Sequence, residues 1–238
     1  MINKLVKTME EALSGLRDGM TIMISGFGDA GVPFNLINGV FDKGIKDLII
    51  ISNNAGRYGE GISKLLRGNR VRKIICSYPR SLKGSIIEEK YRKKEVELEL
   101  LPQGTLAERI RCGGAGIGGF YTRTGLGTIL TSGKETKIID GIEYVLELPL
   151  KADFALIRAE KADRWGNLIF RKTARNFGPI MCMAGDVTVV EVKKCVEIGE
   201  IDPENIITPG IFVDRILEID PQLFLPDGTI MEAKNVKE

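Results

Sequence analysis

The chain has 238 residues, 43% of them hydrophobic, with 34 Lys and Arg against 32 Asp and Glu, a formal charge of +2, and no histidine. So balanced a charge gives no overall field for nucleic acid or an anionic membrane. The missing imidazole excludes a Ser-His-Asp triad, a Cys-His pair, an HExxH zinc helix and a histidine base within the chain, leaving carboxylates, lysine, hydroxyls, amides or a second polypeptide to do any chemistry.

In chain order, Leu5, Met9, Leu13 and Leu16 recur at helical spacing and predict a helix ending near Asp18-Gly19. The run 21–24 reads as a buried strand, 26–31 as a glycine loop, and Pro33 as the opening of a helix carrying Phe34, Leu36, Ile37 and Val40 to Gly44. Further strands are expected at 48–52, 71–76 and 96–101, with Asn53-Asn54-Ala55-Gly56 after the first and Pro102-Gln103-Gly104 before a helix near Thr105. Seven of the 28 glycines then fall between Gly113 and Gly127, which reads as a long loop. Beyond it, 143–147, 154–157, 168–170 and 187–192 look like short strands and 176–184 like a helix. The fold class is therefore α/β: an open, mostly parallel sheet covered by helices in three layers, with an elaborated glycine-rich second half. No repeat or linker divides it, so residues 1–217 are read as one domain and the polar segment 218–238 as a partly disordered tail.

Cys76, Cys112, Cys182 and Cys195 form no CxxC and read as reduced packing residues, and no metal site is expected. No apolar run approaches the ~18 residues of a membrane span. With no signal-peptide core at the start of the chain, a cytoplasmic protein is expected.

Ligands of parallel sheets bind where the strands end at their carboxyl sides, and several motifs fall there. Gly26-Phe27-Gly28-Asp29-Ala30-Gly31 is a literal GxGxxG between strand and helix, as in dinucleotide sites, but Asn53 stands where the ribose-binding carboxylate belongs. NAD binding thus stays open as an alternative to another kind of active-site loop. Asn53-Asn54 and Gln103 offer amides at two equivalent strand ends. Arg109 and Arg111 could serve an anion, Glu60 is the most suggestive lone carboxylate, and Ser132-Gly133-Lys134 lacks the rest of a phosphate loop.

The run from Asp18 through Gly26, Phe27, Gly28 and Gly31 to Pro33, the segment 52–56, the stretch 102–111 with its glycine continuation to Thr122, and Arg171-Lys172-Thr173-Ala174-Arg175-Asn176-Phe177 together resemble the A (alpha) subunit of family I coenzyme A transferases, the 3-oxoacid CoA-transferases. Ser25 departs from that signature, where glycine is usual. The resemblance spans about residues 1–217. It implies CoA thioesters as substrates, no tightly bound cofactor, and covalent catalysis through a glutamyl-CoA intermediate. The nucleophilic glutamate would belong to a Ser-Glu-Asn-Gly motif on a B (beta) subunit, in an α2β2 assembly. That motif is absent here, so no catalytic residue is expected in this chain. Its implied share is substrate binding by Gly26, Phe27, Gly28, Gly31, Asn53, Asn54, Gln103 and Gly104. Segments 76–80, 162–167 and 176–181 resemble the branch that pairs succinyl-CoA with 3-oxoadipate, with Arg80 as the partner of the distal carboxylate. Acetoacetate or a short fatty acid is the alternative acceptor.

Overall fold

The computed structural model describes residues 2–56, 60–79 and 86–220. Arg80 and the segment from 221 onward lie outside the described residues.

The first half follows a strand-helix alternation. After β1 (Leu5–Val6) and α1 (Met9–Ala12) come β2 (Thr21–Ile24), α2 (Phe34–Asp42), β3 (Leu48–Ile51), α3 (Ile62–Arg67), β4 (Val71–Cys76), α4 (Ile86–Arg92), β5 (Glu97–Leu100) and α5 (Gln103–Ala115). The second half adds β6 (Phe120–Thr122), β7 (Thr136–Ile139), β8 (Ile142–Glu147), β9 (Ala152–Asp163), β10 (Leu168–Ile169), α6 (Gly178–Ala184), β11 (Gly185–Val196) and β12 (Arg215–Glu218).

The main sheet runs β1-β12-β11-β9-β2-β3-β4-β5, with every neighbouring pair in that order parallel and β10 antiparallel to β9. The chain builds outward from β2 in one direction and from β9 in the other, so the order reverses between them. Alternate residues bury opposite faces. Ile22, Ile24, Leu48, Ile50, Phe154 and Leu156 meet α1 to α4 in one core, while Met23, Ile51, Ala155 and Ile157 meet α5 and α6 in the other. Helices on both faces of a parallel sheet make three layers, and its central strands β2 and β3 accordingly read as nearly unbroken apolar runs. Among the described residues no helix is long and apolar enough to cross a membrane.

A separate antiparallel sheet, β6-β8-β7, follows α5. Ion pairs tie it to the main sheet. Arg109 of α5 reaches Glu99 of β5 (3.0 Å) and the buried Glu147 of β8 (3.8 Å), and Lys134 closes on Glu147 at 2.5 Å. Burial works against the charge on Glu99, yet hydrogen bonds from Lys73 and Arg109 hold its carboxyl below the usual range.

Three expectations need correction. The helix predicted from Leu5 is only α1, because Thr8 in extended conformation caps it by accepting the Glu11 N–H, while Leu5 pairs with Ile216 in the sheet. Gly113 and Gly114 are not loop residues but the last full turn of α5. A methyl on Gly113 would sit 1.9 Å from the Leu150 carbonyl oxygen, and one on Gly114 2.5 Å from Met183 Cβ, so they are glycine because α5 lies directly against those neighbours. Gly116, at φ +70°, ends the helix. The short strands expected at 154–157 and 187–192 are the cores of two 12-residue strands, β9 and β11, which pair with each other well beyond the end of β2.

Candidate active site

The carboxyl ends of β2 to β5 converge on a cleft of about 460 Å3 lined by Phe27, Gly28, Asn53, Asn54, Gly56, Ser77, Tyr78 and Gln103. Strands β2, β3 and β4 stop at Ser25, Ser52 and Ser77, and Leu101-Pro102 carries the chain from β5 to Gln103, so the cleft is a direct product of the parallel topology.

Its centre is a hydrogen-bonded amide cluster. Asn53, 3% exposed, accepts at Oδ1 from Gln103 Nε2 and from Ser77 Oγ, both at 2.7 Å. Its backbone carbonyl also takes the N–H groups of Ser77 (3.1 Å) and Tyr78 (3.0 Å). Strands β3, β4 and β5 are thereby locked together at their ends. With Oδ1 doubly engaged, Asn53 has only N–H donors left to offer a ligand, and the Gln103 amide has a second N–H beyond the one it gives to Asn53.

The glycine loop forms the other wall. Phe27 and Ala30 exchange both backbone hydrogen bonds (3.0 and 3.2 Å), which makes 27–30 a two-residue turn with Gly28 at φ +61° in its first central position. The turn is held from both flanks, by Asn54 Nδ2 donating to Gly28 O (3.2 Å) and Asn176 Nδ2 donating to Ala30 O (3.0 Å). Ser25 closes its base. Its hydroxyl donates to Gly31 O at 2.7 Å and accepts the Arg158 backbone N–H at 3.2 Å. A glycine at 25 would forfeit both bonds.

This geometry overturns the dinucleotide reading. The N–H groups that would meet a pyrophosphate belong to the first turn of α2, and a protein carboxylate already occupies them. Glu191 Oε2 accepts the Leu36 N–H at 2.9 Å, and Asn35 also hydrogen-bonds this carboxyl. Glu191, from β11, is fully buried, and burial pushes its carboxyl up to about 7 against the opposing pull of the Leu36 amide, Arg158 and Asn35.

Of the residues singled out in the sequence, Phe27, Gly28, Asn53, Asn54 and Gln103 meet at the cleft. Gly26 and Gly31 serve packing, since methyls there would lie 2.4 Å from the Val32 side chain and 2.5 Å from the Ala174 carbonyl oxygen, and Gly104 faces open space. Arg109 and Arg111 are not waiting for an anion. The first is tied to Glu99, Glu147 and the Leu148 carbonyl, the second to Glu108. Glu60 is outside the lining, its backbone carbonyl accepting the Ser63 N–H. Lys134 is likewise engaged, by Glu147. Sequence reasoning missed Gly56, Ser77 and Tyr78, although their position after a strand was available as a signal. It also missed Glu191, a lone charge inside the apolar run 189–192.

Every described lining residue is uncharged, and no histidine exists to deprotonate the Ser77 hydroxyl. Cys76, just behind the cleft, is buried, and burial pushes its thiol up to about 12, so it stays protonated and unreactive. Among the described residues no group of three or more Cys, Asp or Glu could hold a metal ion. The cleft can bind and donate hydrogen bonds, and among its described residues there is no activated nucleophile.

A family model described as coenzyme A transferase matches residues 6–218. Among curated proteins, the chain is 55% identical over 219 residues to the A (alpha-type) chain of 3-oxoadipate CoA-transferase from Pseudomonas putida, covering 92% of this chain and 95% of that protein. It is 48% identical over 215 residues to the corresponding chain of succinyl-CoA:3-ketoacid coenzyme A transferase from Helicobacter pylori strain J99, covering 90% and 92%. Among solved structures, the acyl-CoA transferase YdiF of Escherichia coli O157:H7 shares the fold, with a TM-score of 0.80 at 22% identity. The match covers 92% of this chain and 47% of that one, so the present chain spans about half its length.

Proposed function

The chain belongs to the coenzyme A transferase family, and from that premise we propose that it is the substrate-shaping half of a two-subunit enzyme that moves CoA from succinyl-CoA to a 3-oxoacid, with 3-oxoadipate favoured. The observation that carries this reading is the cleft itself, whose described residues offer amide donors and no activated nucleophile. In the proposed reaction a glutamate carboxylate, supplied by the B subunit, attacks the thioester carbonyl carbon, the C–S bond breaks, and CoA leaves as the thiolate with a mixed anhydride behind it. The thiolate then attacks the glutamyl carbonyl, releasing the donor acid and leaving a glutamyl-CoA thioester. The acceptor carboxylate repeats the two steps in reverse and departs as its CoA ester. The free N–H groups of Asn53 and Gln103 stabilise the oxyanion that develops at each attack. Because that cluster is already hydrogen-bonded before substrate arrives, little reorganisation is needed in the transition state.

The 55% identity to a protein named for 3-oxoadipate supports the substrate assignment, and with it Arg80 is proposed as the partner for the distal carboxylate. Acetoacetate or a short fatty acid is the competing acceptor. The test is reconstitution. The chain alone should show no CoA transfer, and a co-purified B chain bearing Ser-Glu-Asn-Gly should restore it in an α2β2 complex. Turnover by the single chain refutes the division of labour. Within the complex, Arg80→Ala should cost 3-oxoadipate about 1.5–3 kcal/mol of kcat/KM, roughly tenfold or more, and spare acetoacetate. Equal losses on both acceptors remove Arg80 from the pocket.

A further inference from the structure

Glu191 has no role in the chemistry outlined above, yet its surroundings are unusual. Its side chain is fully buried in β11, one strand beyond β9 from the sheet's reversal point. Oε2 accepts the Leu36 N–H at 2.9 Å, Asn35 adds further hydrogen bonds, and Oε1 is buried without a hydrogen-bond partner among the described residues. Its neighbour in register on β9 is Arg158, 3% exposed, whose backbone N–H reaches Ser25 Oγ and, through that hydroxyl, the Gly31 carbonyl. The segment from Ser25 to Leu36 is therefore tied at two points to adjacent strands: at its start through Ser25 to β9, and at its end through Glu191 to β11. Between the ties stands the turn 27–30, which supplies Phe27 and Gly28 to the cleft.

A carboxylate is a costly way to satisfy a helix N-terminus in a core that apolar residues could fill. The usual local device is missing, since Pro33 at the N-cap of α2 makes no side-chain cap. We propose that Glu191 is a positioning residue for the cleft: by anchoring the first turn of α2 to β11 it fixes where the turn 27–30 stands opposite Asn53 and Gln103. The idea rests on the cleft being the substrate site, and it assigns Glu191 no contact with substrate.

The experiment compares Glu191→Gln, which keeps the shape and the acceptor, with Glu191→Met, which keeps the length and removes the acceptor, both in the complex with the B subunit. Hydrogen exchange of backbone amides is followed by peptide together with steady-state kinetics per assembled site. In the Met variant, exchange should quicken in peptides covering 26–36 and stay unchanged in β3, β4 and β5. Its kcat should fall on the order of ten- to a hundredfold, as displaced binding groups do, with KM for acyl-CoA changed far less. The Gln variant should match the wild type in kcat and exchange no faster over 26–36. Quickened exchange with normal kcat overturns the proposal, as does faster exchange throughout the sheet, or a Gln variant as impaired as Met. If the wild-type complex transfers no CoA, the functional reading fails on its own, and localised exchange over 26–36 still decides whether the anchor exists.

Discussion

Replacing Glu191 by glutamine should leave the protein's stability unchanged in acid and raise it above neutral pH. The carboxyl is fully buried and titrates at about 7 in place of 4.5. Arg158 of β9 is the charged group acting on it, only amides reach it from α2, and its neighbour in register on β12 is Leu217. Between those two pH values the folded protein holds a proton that the unfolded chain has released. Stability therefore falls as pH rises through that window, and the full cost is present above 7. A span from 4.5 to about 7 amounts to about 3 kcal/mol, at roughly 1.4 kcal/mol per pH step of one. Glutamine matches the neutral acid in shape and does not titrate, and every other group is common to both proteins. Urea unfolding of the pair at about pH 4 and about pH 8 should thus give midpoints that separate only at the higher pH, with unchanged slopes. A variant that tracks the wild type at both values, or is weaker at the higher one, refutes the reasoning. It would mean that Arg158 and the helix amides repay the desolvation of the carboxylate in full.

Gly113→Ala would place a methyl 1.9 Å from the Leu150 carbonyl oxygen. Backbone cannot step aside there, so the loss should exceed the ~1–3 kcal/mol usual for overpacking and show as a lowered melting temperature. Gln103→Ala and Asn53→Ala should each lower kcat/KM by on the order of 3 kcal/mol, the scale of a lost oxyanion donor, while assembly measured by gel filtration stays intact; unchanged kinetics in both variants would reduce these residues to strand-end ties. Glu147→Ala strips a buried anion from Lys134 and from Arg109, which keeps Glu99, and should cost about 1–3 kcal/mol in chemical denaturation, the scale of a buried polar group losing its partner.

The first-half strands were legible because a sheet covered on both faces writes itself as short apolar runs between glycine and asparagine breaks. Thr21–Ile24 and Leu48–Ile51 are such runs, and Val71–Cys76 ends in one; the amides of Asn53 and Gln103 were visible after β3 and β5. That those two amides bond each other was not, since it depends on the order in which β3, β4 and β5 lie side by side. The misreadings share a cause. Gly113 and Gly114 weaken a helix in isolation, and only Leu150 and Met183, distant in sequence, make them necessary. Leu5 kept helical spacing with Met9 by coincidence, its true partner being Ile216. The ends of β9 and β11 carry Glu160, Lys161, Lys193 and Lys194, which read as loop because β9 outruns its neighbour β2 and both ends reach solvent.

The parallel register of β1 with β12 also bears on how the chain is made. Leu5 and Ile216 meet across nearly the whole sequence, and among the described residues β12 is the strand that covers the outer side of β11. During synthesis β11 can pair with β9 as soon as it leaves the ribosome, but its other side, with Val189, Val190 and Val192, remains an open row of backbone donors and acceptors until Arg215–Glu218 follows. Closing β1 onto β12 over so long a separation is slow, and an uncovered apolar edge is a surface on which nascent chains stick to one another. Until residues 215–218 follow residue 196, the β11 edge stays uncovered, and a chain truncated within that interval would keep an adhesive rim.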